Sequence, residues 1–264
     1  MLEVFGFTRE PFLHELQPAD TFPWQDFREG TKRLSYALKC RGLVCLIGPS
    51  GSGKTTLLRR FVEQLPPELY KPLALHYTSG SSLDLLHQLA HQLGVDLTCQ
   101  RARLVQFIHG ECARLAGAHI HPLVVIDEAH YLANPTLHDL RLLTTAPLDT
   151  VRHFTLVLSG HEELEARLRT SWLTPLRQRI TTWVRLSALE PAETEQYLLH
   201  RLKIAGVPAN LFAPQAVFAL HQLASGRLRP LDRLAHHALI ACALDGAKQV
   251  TDEHVRLAAE EVGL

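Results

Sequence analysis

The feature that most limits what this chain can fold into is the run Gly48-Pro49-Ser50-Gly51-Ser52-Gly53-Lys54-Thr55, which stands between an apolar stretch and a helical pattern. Glycines at 48, 51 and 53 let the backbone turn so that successive N–H groups face a phosphate, and the helix that follows adds the positive end of its dipole. Lys54 is placed to neutralise β- and γ-phosphates, and the Thr55 hydroxyl to ligate Mg²⁺. Pro49, Ser50, Ser52 and Thr56 belong to the same phosphate-facing set. Such a loop works at a strand-to-helix junction, so Leu43 to Ile47 is expected as the strand and Thr55 to Leu65 as the helix, stopped by Pro66-Pro67. A glycine-rich turn with an incidental lysine is the plainer alternative, and the flanking pattern argues against it.

A second motif fits the first. Leu123-Val124-Val125-Ile126 is a short apolar run ending in Asp127-Glu128, the pattern of a central parallel strand covered on both faces. Ligands of open parallel sheets bind at the carboxyl ends of strands. Asp127 is therefore expected to hold Mg²⁺, and Glu128 to orient or deprotonate the water that attacks a γ-phosphate. The pair implies ATP hydrolysis as well as binding. Near the polar end of the strand in Phe154 to His161, Ser159 and His161 are candidates to contact the γ-phosphate or that water; a plain strand cap explains either one equally well.

Further strands are expected at Leu73 to Tyr77, Phe154 to Leu158 and Thr182 to Leu186, and helices at Phe27 to Lys39, Leu83 to Leu93 and Arg103 to Leu115. Strands alternating with helices give an α/β fold with a parallel sheet flanked by helices. After Leu189 the strand signals stop, and four helical segments follow, at Pro191 to Ile204, Pro214 to Leu223, Pro230 to Leu244 and Thr251 to Val262. The expected division is a nucleotide-binding domain over residues 1–188, N-terminal segment included, and a small helical lid domain over 189–264.

Lys plus Arg equals Asp plus Glu, 27 each, so any contact with nucleic acid must be local. Arg167 to Arg185 holds five arginines and no acid, the best place to look for anion contacts. Sixteen histidines include close pairs such as His87/His91, His119/His121 and His236/His237, but none stands beside a Cys or acid at zinc-like spacing, so they read as solvated or core side chains. The five cysteines form no CxxC pair and read as buried thiols. No run is long enough to span a bilayer and no signal-peptide pattern opens the chain, which places the expectation in the cytoplasm.

The order of these features resembles AAA+ P-loop NTPases, and more narrowly the ExeA/GspA-like branch that includes the transposition regulators TnsC and TniB. The residues that carry the likeness are Phe5-Gly6 with Pro11-Phe12, GPSGSGKTTLL, VVIDEAH, LVLSGHEELEARL, LRQRI with LSALEPAETEQYLLHRLKIAG, and SGRLRPLDRLAHHAL. The resemblance implies that Arg177 or Arg179 is the arginine finger reaching a neighbouring subunit's γ-phosphate, that Arg229 is the lid's sensor 2, and that Ser159 or His161 is sensor 1. It also implies a homo-oligomer, ring or helical filament. Where the branch often reads Pro-Arg, two residues and Asn, this chain reads Leu228-Arg229-Pro230-Leu231-Asp232.

Two functions compete on that resemblance. One is a regulator that stacks along double-stranded DNA and recruits a transposase or target-selection protein. The other is an ExeA-type ATPase of a secretion system. Secretion members are expected to continue into a transmembrane helix, and this chain stops at Leu264, which favours the first. In such regulators the insertions between the second and third strands face DNA; here they offer Ser79, Ser82, Arg101 and Arg103, for which ordinary helix capping and a solvated arginine pair are the bland alternative.

Overall fold

The structure is a computed structural model that describes residues 2–12, 17–76, 81–95, 100–144 and 152–263. Five apolar segments pair into one parallel sheet: β1 (Leu43–Ile47), β2 (Tyr70–His76), β3 (His121–Asp127), β4 (Thr155–Gly160) and β5 (Ile180–Arg185), in the order β2-β3-β4-β1-β5. Every residue of β1 and β4 is buried, as expected for strands covered by helices on both faces, whereas the edge strand β5 alternates between buried and exposed positions. The register sets Ile126 of β3 beside Leu158 of β4, and Ile47 of β1 beside Gly160, so all three strands end at one level.

The helices of the sheet unit are α2 (Gln25–Cys40), α3 (Lys54–Glu63), α4 (Ser82–Gln92), α5 (Arg101–Gly117), α6 (Asn134–Thr144), α7 (Glu162–Leu168) and α8 (Thr174–Arg177); a short helix α1 (Leu2–Phe5) opens the chain. Helix α4 starts on a capping box, in which Ser81 N donates to Asp84 Oδ2 at 2.7 Å and Asp84 N donates to the Ser81 hydroxyl at 3.3 Å. The core runs through Ile47, Leu75, Leu89, Ile108, Ile126 and Leu158. The sequence pattern fixed the strands and the long helices to within a few residues. It did not announce α6, α7 or α8, of which the last two, with 7 and 4 residues, are too short to display a helical period.

The described residues group into two units. One comprises Asp26–Pro49 and Lys54–Leu186, the other Met1–Gln25, Ser50–Gly53 and Ser187–Leu264. The second is built on α9 (Pro191–Ile204), α10 (Pro214–Ala224), α11 (Leu228–Leu244) and α12 (Asp252–Val262). Its longest segment starts at Ser187. The N-terminal segment, expected with the sheet, groups with these helices instead. The reason is a buried arginine: Arg201 Nε donates to Pro11 O at 2.5 Å, its guanidinium lies over the Phe12 ring, and the Phe12 ring meets Phe212 edge-on at 6.0 Å. Tyr197 Oη, which accepts from Arg201 and donates to Asp232 Oδ1 at 2.7 Å, completes the polar network, as a buried charge requires.

Cys45, Cys112 and Cys242 are buried thiols, but Cys40 at the end of α2 is exposed, and Cys99 lies outside the described residues. Among the described residues no helix is long and apolar enough to cross a membrane.

Candidate functional site

The site grows from the carboxyl ends of β1, β3 and β4. The loop after β1 turns on Gly51 (φ +76°) and Gly53 (φ +86°), both in the left-handed region that favours glycine. A Cβ at Gly53 would lie 2.7 Å from the Trp24 ring, and one at Gly51 would lie 3.0 Å from Cβ of Arg229, so within the helical unit the glycines also admit a close approach. Arg229 itself is exposed at the start of α11.

Lys54 opens α3 and is buried, its Nζ donating to Gly48 O at 2.9 Å and Pro49 O at 3.0 Å. The next residue, Thr55, donates from Oγ1 to Asp127 Oδ2 at 2.7 Å, which joins the first motif to the second across 72 residues of chain. Asp127 is buried and takes Glu128 N on its other oxygen at 3.0 Å. Ser52 and Ser159 each bury a hydroxyl that has no hydrogen-bond partner among the described residues. Pro49, Ser50, Gly51, Gly53 and Thr56 are at least partly open to solvent.

Glu128 leaves the strand with φ +53° and ψ +35°, a left-handed conformation that costs a non-glycine residue about 1–3 kcal/mol and persists where its surroundings impose it. Arg167 supplies that constraint. Its guanidinium donates to His130 O at 2.6 Å, Leu132 O at 2.5 Å and Asn134 Oδ1 at 2.7 Å, pinning the tight turn at Ala129–Tyr131 and the start of α6. Glu128 is thereby turned out of the strand with its side chain 40% exposed, while Asp127 stays covered.

Two imidazoles face that carboxylate. His130 Nδ1 stands 3.3 Å and His161 Nε2 3.6 Å from Glu128 Oε2, and the two rings are 4.1 Å apart. The other ring nitrogen of His161, Nδ1, lies 3.3 Å from Gly48 O and 3.4 Å from Lys54 Nζ. Burial, then the neighbouring His161, holds the His130 pKa below the ordinary imidazole value. His130 was not a candidate from the sequence. It approaches Glu128 only because the chain turns tightly after β3, whereas His161 arrives from the end of β4.

The arginine-rich segment divides in a way its composition hid. Arg169 and Arg185 both pair with Glu165, at 2.8 and 2.7 Å, Arg167 is spent on the turn, and Arg179 donates to Thr144 O at 3.2 Å. Arg177, at the end of α8, is exposed and makes no hydrogen bond or ion pair among the described residues. The expected anion-contact surface is thus reduced to one free cation, because the acids and carbonyls that neutralise the others sit outside the segment. Of the expected DNA contacts, Ser82 is buried, at 6% exposed. Arg101 is exposed but bonded to Asp139 at 2.9 Å, Arg103 is exposed, and Ser79 lies outside the described residues.

Residues 38–168 match the protein family described as AAA domain. General secretion pathway protein A of Aeromonas hydrophila is 32% identical over 263 residues, an alignment that takes in 98% of this chain and 48% of that protein, so this chain spans about half the length of the curated relative. Among solved structures, Cdc6p of Pyrobaculum aerophilum superimposes with a TM-score of 0.69 at 18% identity, covering 99% of this chain and 71% of that one. The ORC1 protein of Aeropyrum pernix, solved in complex with DNA, gives 0.71 at 17% identity over 97% and 70% of the respective chains. These two likenesses establish the fold. The AAA-domain match and the 32% identical relative, which agree with the loop and the Asp-Glu strand end, show that the chain belongs to the AAA+ P-loop NTPases, in the ExeA/GspA-like group.

Proposed function

We propose that this protein binds ATP with Mg²⁺ and hydrolyses it to ADP and phosphate, working as a homo-oligomer. The observation that carries the reading is the 2.7 Å bond from Thr55 Oγ1 to Asp127 Oδ2, which brings the two motifs onto one spot. The donor set fits the metal, since Thr55 and Asp127 offer only oxygen atoms, and the unpartnered Ser159 hydroxyl beside them is a polar group awaiting a ligand. Mg²⁺, when bound, supplies neutralising charge to phosphate oxygens. Lys54 exchanges the carbonyls of Gly48 and Pro49 for phosphate oxygens. Glu128 orients the attacking water and accepts its proton, Ser159 or His161 hydrogen-bonds that water or the γ-phosphate, and Arg229 serves as the lid cation. Arg177 is the finger we assign over Arg179, because its guanidinium is uncommitted.

Lys54→Ala is expected to abolish nucleotide binding, and Glu128→Gln to retain binding while lowering turnover by about 10²–10⁴-fold. Phosphate release measured beside nucleotide affinity checks both. Normal hydrolysis by the Glu128→Gln protein would remove the catalytic assignment.

Of the two cellular settings, the secretion-type ATPase has the stronger support, because the 32% identical relative is a general secretion pathway protein. The transposition regulator, with duplex DNA and a transposase or target-selection protein as partners, rests on less: of its expected contacts among the described residues, Arg103 alone is exposed without an ion pair. A mobility-shift assay with duplex DNA and a non-hydrolysable ATP analogue separates them. Retention at low salt that weakens steeply as salt rises would restore the DNA reading.

A further inference from the structure

We infer that Glu128, His130 and His161 form a binding site for a transition-metal ion of the zinc class, distinct from the Thr55–Asp127 magnesium site. One ligand atom from each residue lies within 4.8 Å of the other two, and the two distances to Glu128 Oε2 are 3.3 and 3.6 Å. Donors held ~2.0–2.1 Å from a tetrahedral zinc stand about 3.4 Å apart, so both histidine nitrogens already have nearly the required spacing from the carboxylate. Two imidazoles and one carboxylate with the fourth position open is a zinc-type ligand set, whereas Mg²⁺ favours oxygen.

The surroundings have the form that such a site requires. His130 Nδ1 and Glu128 Oε2 are buried and make no hydrogen bond among the described residues, so two ligand atoms stand 3.3 Å apart with neither committed to a hydrogen bond. In the His161 tautomer that donates Nδ1–H to Gly48 O, 3.3 Å away, the Nε2 lone pair is left on the side of Glu128. A metal-bound histidine commonly donates its second ring N–H to a backbone carbonyl in this way. Arg167 fixes the turn that carries Glu128 and His130, and the end of β4 fixes His161, so little ordering is left to the ion.

Because the site contains Glu128, an ion there removes the carboxylate lone pair that accepts the water's proton, and turnover stops until the ion leaves. That consequence rests on the function proposed above; the binding itself does not. The test uses the full chain with Zn²⁺ alone as probe, titrated calorimetrically without nucleotide and with Mg²⁺ in excess. The expected result is one zinc per chain that Mg²⁺ does not displace, bound at least about tenfold more weakly by His130→Asn and by His161→Asn. The His87→Ala/His91→Ala protein serves as the control for the other histidines and binds as the parent does. Co²⁺ in place of Zn²⁺ gives a tetrahedral visible spectrum, lost in the same two variants. In phosphate release, zinc inhibits the parent, a chelator reverses it, and His130→Asn hydrolyses ATP at a rate insensitive to zinc. Undiminished zinc binding in both single variants, each checked for folding by circular dichroism, overturns the site. Intact zinc binding in a protein with no ATP hydrolysis would refute the proposed function and leave the site standing.

Discussion

At the scale of single residues, the chemistry turns on how Glu128 is held. A left-handed, non-glycine residue at a strand end is unfavourable, and the four hydrogen bonds from Arg167 to His130 O, Leu132 O and Asn134 Oδ1 hold the turn that follows it. Arg167→Met keeps most of the apolar stem but leaves the carbonyls of His130 and Leu132 without their donor, at a cost of about 1–3 kcal/mol for each buried group. Arg167 is thus a positioning residue. We expect kcat to fall on the order of ten- to a hundredfold, the scale associated with a small misplacement of a catalytic group, while nucleotide affinity holds. Steady-state kinetics beside a nucleotide titration checks the split; equal losses in both would mean that Arg167 merely stabilises the fold.

At the scale of elements, β3 and β4 are joined by a polar contact at the end of the sheet remote from the site. His121, the first residue of β3, has its Nε2 2.9 Å from Thr155 Oγ1, and burial, reinforced by Arg41, lowers its pKa to about 4. The unfolded chain takes up that proton near pH 6.5, the folded chain only near pH 4. Between those values the unfolded state binds more protons, so the contribution of His121 to stability is complete above pH 6.5 and is lost as the pH falls toward 4. His121→Gln keeps a side-chain amide near Thr155 and does not titrate. Denaturant unfolding as a function of pH is expected to show a shallower acid limb for this variant, and an unchanged slope would show that His121 is not responsible. The same strands show why pattern reading worked where it did. β1 and β4 are apolar throughout because both faces are covered, and a run of that kind is legible in one line of sequence; α7 and α8, with only 7 and 4 residues, are too short to display a period.

At the scale of the whole molecule, Arg177 is a guanidinium without a partner among the described residues, and a second copy is a natural place to find one. If it acts in trans, Arg177→Ala hydrolyses poorly alone yet still binds nucleotide, and so does Glu128→Gln. Mixing the two inactive proteins then regenerates some sites that have both an intact Glu128 and a neighbour's Arg177. Partial recovery of phosphate release on mixing is the expected outcome; activity that stays at the sum of the separate proteins would place the finger elsewhere or the catalysis within one subunit. Phosphoryl-transfer enzymes gain about 10³–10⁵ from such an arginine, so even a small recovered fraction is measurable.

The sequence by itself determined the loop at Gly48–Thr55, the Asp127-Glu128 strand end, the five strands and the long helices, because each is encoded in residues adjacent in the chain or repeated at a fixed period. Only the tertiary structure decided which arginines are free, that the opening 25 residues group with the helices, that Ser82 is buried, and that His130 and His161 converge on Glu128. Those outcomes depend on partners far apart in sequence: Arg201 seeking Pro11, Arg185 seeking Glu165, and a histidine from the end of β4 meeting one from the turn after β3. Local pattern sets what each segment becomes, but a charge or a lone pair is satisfied by whatever the fold brings beside it.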